Sequence, residues 1–246
     1  MTEGSAQFQP KDLDTGERLA MSGRAIAQGI RYSVAGQHET EHASQYLVDR
    51  ADARAVIDSW PAAQRKVAEQ MLQRYGQPNE ATPTRLTWIG NSPWKRTEIT
   101  SDAVLHRWPT VHTDFLVQTI DYRVPPSMFS AIAEFDGSII VDRTRGEVSA
   151  RCDSEAANVL GLNMVHELVT GKRDVESARH TSEQNTVAYT IGRDAPYAER
   201  LLFDLPDGGT EDVDESTIGD ALGEQIAGKV RDGLGRTEEP TDRRSF

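Results

Sequence analysis

Three groups of side chains have the types and spacings that chemistry requires. His112 and Asp114 stand two apart in a stretch that reads as extended, so both project from one side of a strand. An imidazole and a carboxylate so placed can hold one metal ion. His106, six residues earlier, and the pair His166-Glu167 further along would add donors to a set that zinc or iron accepts. The candidate metal ligands are His112, Asp114 and His166. His38 and His42 also have helical ligand spacing, in a polar segment. The plainer reading of His112 is an imidazole packed under Trp108 at a sheet edge and bonded to Asp114, with His166 on a helix surface.

Cys152, with Asp153 beside it, precedes a helix that Asp153 or Ser154 caps. A thiol there feels the positive end of the helix dipole, and with His112 nearby it would form a thiol–imidazole nucleophile. The candidate catalytic set is His112, Asp114 and Cys152. Against it, a lone cysteine is usually a small buried apolar residue, and Asp153 opposes thiolate formation.

The third group is aromatic and basic. Three of the four tryptophans, Trp88, Trp94 and Trp108, fall within 21 residues and are interleaved with Arg85, Lys95, Arg96 and Arg107. Trp88, Trp94, Arg96 and Trp108 are the candidate residues for a protein or small-molecule ligand. Cross-strand packing under arginine stems explains them equally well. Arg143 and Arg145 at a turn could clamp an anion, but Asp142, Glu147 and Asp121 are close enough to pair with them locally.

The common catalytic templates are absent: no phosphate-binding Walker loop, no GxGxxG turn after a strand, no GxSxG elbow, no EF-hand. His166-Glu167 opens like a zincin motif, but Thr170 stands where the second histidine belongs. No cofactor follows from the sequence.

The elements that must carry these residues are legible in outline. Residues 1–45 read as a polar arm, partly helical, interrupted by Gly16, Gly23, Gly29 and Gly36. A helix is expected from Glu39 to Trp60 with Tyr46, Leu47, Val56 and Ile57 buried. A second follows Pro61, with Val67, Met71 and Tyr75 on one stripe, and ends at Gly76. The period then changes to two. Arg85–Ile89 and Trp94–Ile99 flank a hairpin turn, Phe115–Val124 alternates, and 138–142 and 147–151 form a second hairpin around a short helix at 127–135. A helix to about Thr170 is apolar on most sides, which marks it as central. Another begins near Asp174, and Leu201–Leu205 is a last strand candidate. Tight turns between neighbouring strands predict an α+β fold: a mostly antiparallel sheet with helices packed on one face, preceded by N-terminal helices. The boundaries expected are a compact domain at 46–206 and an acidic tail at 207–246, with a candidate helix over Ile218–Val230.

Several of these stretches carry a resemblance. Thr82-Pro83-Thr84-Arg85-Leu86-Thr87-Trp88, Pro93–Thr97, His112–Phe115, Ile120–Pro125, Asp136–Ser138, Arg143–Glu147 and Ala150–Asp153 together resemble a family of soluble bacterial proteins to which no activity is attached. The resemblance covers about 46–206. It implies one compact domain and nothing about mechanism.

Composition bounds the function classes. The chain has 246 residues, one cysteine and a net charge of −12, of which −7 lies in residues 201–246. One cysteine excludes an internal disulfide framework and a cysteine-based zinc cage. A field of this sign repels nucleic acid and anionic membrane. No run of 18 apolar residues exists, and Met1–Pro10 lacks the basic start and apolar core of a secretory signal, so a cytoplasmic location is expected. The expected function is a soluble, non-catalytic binding or interaction domain. The alternatives are an enzyme, either a metal-dependent hydrolase or a thiol enzyme, centred on His112, Asp114 and Cys152, and a homo-oligomeric structural protein.

Overall fold

The computed structural model describes residues 13–37, 46–217 and residue 228. The chain divides into two units, one comprising residues 41–212 and the other residues 1–40 with 213–246. In the smaller unit, helix α1 spans Thr15–Ala35. Asp14 and Glu17 form a reciprocal capping box at its start, and Gly36 closes it in the left-handed conformation. Gly16, Gly23 and Gly29 weaken the helix without interrupting it, because the residues between them are good helix formers. The candidate helix over 218–230 lies outside the described residues, residue 228 apart.

The larger unit begins with α2 (Arg50–Ile57) and α3 (Ala62–Tyr75). Helix α2 starts eleven residues later than expected because Asp49 caps it, its side chain accepting from the Ala51 amide at 2.7 Å. Residues 46–49 are not helical, and the Val48 amide donates to the Pro78 carbonyl. Tyr46 and Leu47, expected inside, are exposed. Then come β1 (Glu80–Thr82), β2 (Arg85–Ile89), β3 (Arg96–His106), β4 (His112–Asp121), α4 (Phe129–Phe135), β5 (Ile139–Asp142) and β6 (Glu147–Cys152). The chain closes with α5 (Glu155–Val169), α6 (Val175–Thr190) and the short α7 (Pro196–Glu199).

The six strands form one antiparallel sheet in the order β1-β2-β3-β4-β6-β5. Register fixes what each face presents. Leu86, Ile99, Leu116 and Cys152 lie in one row across β2, β3, β4 and β6. The neighbouring row places Trp88 beside Thr97, Gln118 and Ala150. The helices pack on this face. Ala53, Ile57, Ala68, Met71 and Leu72 of α2 and α3 cover Leu86, Trp88, Ile99 and Leu116. Helix α5 covers Ile120, Val148 and Ala150. The opposite face is polar: Glu147, almost fully buried, pairs with Arg96, Arg145 and Lys95 at 3.2–3.3 Å, and Thr119 bonds Ser149.

Helix α5 is central, as its nearly all-round apolar surface requires. Its buried polar residues bond to chain around the helix, although Asn158 Oδ1 has no hydrogen-bond partner. Asn158 donates to the Leu116 carbonyl and to Gln118 Oε1. Asn163 donates to the Tyr197 and Arg200 carbonyls and accepts from the Leu202 amide at 2.8 Å. Leu201–Leu205 is not a strand, and its Leu202 amide is spent on the Asn163 side chain instead of a ladder. Glu167 collects Lys172, Arg173 and Tyr197 and ties the start of α6 and α7 to α5. At the β5–β6 turn, Gly146 adopts φ +64°, and a Cβ there would lie 1.8 Å from the Thr210 carbonyl oxygen. Among the described residues no helix is long and apolar enough to cross a membrane.

Candidate metal centre

Strand pairing assembles the site. Beyond an irregularity between Ile99 and Val104, β3 continues to His106, which lies directly opposite His112 at the start of β4. The two imidazoles are therefore cross-strand neighbours, with ring centroids 4.9 Å apart. Asp114 is two residues along β4 on the same face, beneath both rings. Cys152 is the last residue of β6, across from Leu116, where the chain turns into α5. The turn after α4 brings Asp136 and Ser138 against the same group.

The geometry is close. Asp114 Oδ1 is 3.0 Å from His112 Nε2, and Oδ2 is 3.4 Å from His106 Nδ1 and accepts from the Ser138 hydroxyl. One ring nitrogen of His106, one of His112 and an Asp114 oxygen all lie within 4.8 Å of one another. Cys152 Sγ is 3.2 Å from His112 Nε2, and Asp136 Oδ1 is 3.8 Å from His106 Nε2. Asp114 is 1% exposed.

Hydrogen bonding sets the tautomer of His112. Its Nδ1 is 2.9 Å from the Thr110 carbonyl oxygen, which can only accept, so the proton of the neutral ring is on Nδ1. Nε2 therefore presents a lone pair to the group. Facing it is Asp114 Oδ1, fully buried and without a hydrogen-bond donor. Two lone pairs 3.0 Å apart, one on a buried carboxylate, repel unless a proton or a cation lies between them. An imidazole held through its other nitrogen by a backbone carbonyl is the usual support of a metal-ligating histidine, and the Ser138 hydroxyl supports the carboxylate in the same way.

Burial pushes the Cys152 thiol well above its ordinary range, and Asp153 adds to this, with Asp114 and Asp136 raising it further. Burial and these carboxylates outweigh the bond from the Asp153 backbone amide, which lowers it. Burial also raises the Asp136 carboxyl, against the Ser138 amide bond that lowers it.

The other sequence candidates lie elsewhere. His166 does not reach the group: its Nδ1 pairs with the Tyr122 hydroxyl at 3.0 Å and its ring stacks on Phe203 at 4.3 Å. The imidazole that strand pairing brings beside His112 and Asp114 is His106. Trp88 and Trp94 are 1% and 2% exposed, their indole N–H groups donating to the Gly76 carbonyl and to Tyr75 and Glu155. Arg96 lies in the Glu147 network on the opposite face of the sheet. Trp108 is partly exposed, with the Arg179 guanidinium 4.1 Å above its ring and Glu183 accepting from its N–H. Arg145 pairs with Glu147 and Arg143 with Asp212. His38 and His42 lie outside the described residues.

Sequence reasoning did not find Asp136 and Ser138. They lie more than 20 residues from Asp114, and their only local signature is an Asx turn, the Ser138 amide donating to Asp136 Oδ1. A cavity of about 420 Å³ opens beside the group, with His112, Cys152, Asp153 and Ser154 on one wall and Thr186, Tyr189 and Thr190 of α6 on another. No protein-family model, curated protein or solved structure matches the chain.

Proposed function

We propose that the protein is a metal-dependent hydrolase whose divalent ion, of the zinc class, is held by His106 Nδ1, His112 Nε2 and Asp114. The observation that carries the reading is the buried, donor-free Asp114 Oδ1 facing the lone pair of His112 at 3.0 Å. A cation relieves both atoms at once. Two imidazoles and one carboxylate are a donor set zinc takes readily, and three protein ligands leave a coordination position for water. The cavity beside His112 gives that position access to a substrate of small-molecule size. His112, Cys152 and Asp153 line one cavity, with His106 and Asp114 behind His112, and this supports an enzyme over the non-catalytic binding domain.

Equilibrium dialysis of the full chain against Zn²⁺ tests the reading. One zinc per chain is expected in the wild type and much less in His106→Ala and His112→Ala, with His180→Ala on α6 as control. Zinc-dependent hydrolysis of p-nitrophenyl acetate should follow the same order. Substoichiometric zinc, or equal loading of all variants, would overturn it.

The 3.2 Å Cys152–His112 approach favours a second reading, a thiol enzyme in which His112 takes the thiol proton. The upward push of burial on the thiol weighs against it.

A further inference from the structure

The cavity at the metal-ligand group does not end there. It shares Ser154, Ala156, Tyr189 and Ala198 with a second cavity of about 680 Å³ that runs past the first turn of α5 toward α3. In the other direction it shares Pro109, Thr110, Thr186 and Thr190 with a third of about 290 Å³ along α6. His112 and Cys152 thus lie part-way along a groove whose two ends differ in chemistry.

The α6 end is mostly apolar, walled by Val187 and Ile191, both more than half exposed; its one charged side chain, Glu183, accepts from the Trp108 N–H. The α3 end carries Arg74 and Arg200 over the apolar floor of Met71, Trp94 and Leu201. One nitrogen of Arg74 is held by Glu155 at 2.6 Å while 62% of its side chain remains exposed. The Arg200 guanidinium is exposed and has no hydrogen bond or ion pair among the described residues. Glu199, the acid beside them, is engaged by the Ala195 amide. Glu155 and Glu199 line the same end, so its cations and acids balance in number, but Arg200 is the one of these four side chains with no partner among the described residues and marks a place for an anion.

Resting on the hydrolase reading, we propose that the substrate is an extended peptide-like acyl chain with a free terminal carboxylate. Its apolar group lies on the α6 wall, its scissile amide at the metal-ligand group and its carboxylate between Arg74 and Arg200. In the reaction, water adds to the amide carbonyl and the carbon–nitrogen bond breaks. The hydroxyl stays on the acyl carbon and the proton leaves with the amine.

The test uses two synthetic hexapeptides of one sequence, apolar at the acetylated end, one with a free terminal carboxylate and one with a terminal amide. Calorimetry on the full chain with Zn²⁺ is expected to give at least about tenfold tighter binding of the carboxylate form, the gain of one charge-assisted contact. Arg200→Gln, which removes no internal partner, should reduce that preference to near unity while leaving zinc stoichiometry and the affinity for the amide peptide unchanged. Equal affinity for the two peptides, no binding of either, or a preference that survives Arg200→Gln overturns the assignment. Mass spectrometry of the same mixtures reads cleavage. Preferential binding without product upholds the carboxylate site and overturns the hydrolytic reading instead.

Discussion

Asp114→Asn should invert the order of thermal stability on addition of zinc. In the metal-free protein Asp114 is a buried carboxylate with one donor-free oxygen. An amide of the same shape keeps an oxygen for the Ser138 hydroxyl and turns its N–H toward the His112 Nε2 lone pair, 3.0 Å away in the wild type. Removing an unsatisfied buried polar group of this kind is worth about 1–2 kcal/mol. For a unit of this size that raises the melting temperature by about 2–8 °C. Zinc acts the other way. At a free concentration one hundred times its dissociation constant it stabilises the wild type by about 2.7 kcal/mol, or about 5–11 °C, and the variant by little. Differential scanning calorimetry on protein dialysed against chelator, then titrated with Zn²⁺, reads both steps. The reasoning fails if the metal-free variant is less stable by about 3 kcal/mol or more and zinc moves neither protein. Asp114 would then be the counter-ion of a protonated His112, whose removal strands a buried charge.

Cys152→Ser should retain zinc stoichiometry and most of any zinc-dependent hydrolysis, because the thiol is not among the three ligands; loss of turnover with intact metal loading would favour the thiol enzyme. Glu167→Gln should cost about 2 kcal/mol in urea unfolding, less than a fully buried pair because Lys172 and Arg173 regain water. Burial raises the Glu167 carboxyl, but bonds from Lys172, Tyr197 and Arg173 prevail and hold it below its ordinary value of 4.5. Its stabilisation is therefore present above about pH 4.5 and is lost as pH falls through the folded value, so wild type and Glu167→Gln should converge in acid. Burial lowers His166 from its ordinary 6.5, so the unfolded chain takes the proton first. Stability should decline as pH falls below about 6.5 and level off once the folded His166 is protonated, and His166→Gln should flatten that slope in chemical denaturation at several pH values.

What could be read from residues alone follows a physical divide. Helix α3 was legible because Val67, Ala68, Met71 and Leu72 recur at helical spacing between Pro61 and Gly76. Helix α5 was legible for its cap and its continuous apolar surface. The second half of β3 was not. Val104 and Leu105 are half exposed, and the irregular pairing after Ile99 destroys the alternation that marks a strand. That omission governs the site. Without a strand reaching residue 106, nothing places His106 opposite His112, and His166 stood as the better-supported partner. Leu201–Leu205 misled for the opposite reason, an apolar run that pairs with no strand and whose Leu202 amide is taken by Asn163. His112, Asp114 and Cys152 could be named because local period and a helix start put them at recognisable positions. Asp136 and Ser138 are contributed by tertiary folding and left no periodic trace.

The absent side chain at residue 146 has a bearing on where the molecule can be cut. The carbonyl of Thr210 occupies the room that any other amino acid would need at that turn, so residues 207–212 are keyed into the sheet's far hairpin instead of trailing from it. A shortened version ending at 206 would leave that notch vacant and discard the Asp212 grip on Arg143. The natural place to trim the chain is after 212.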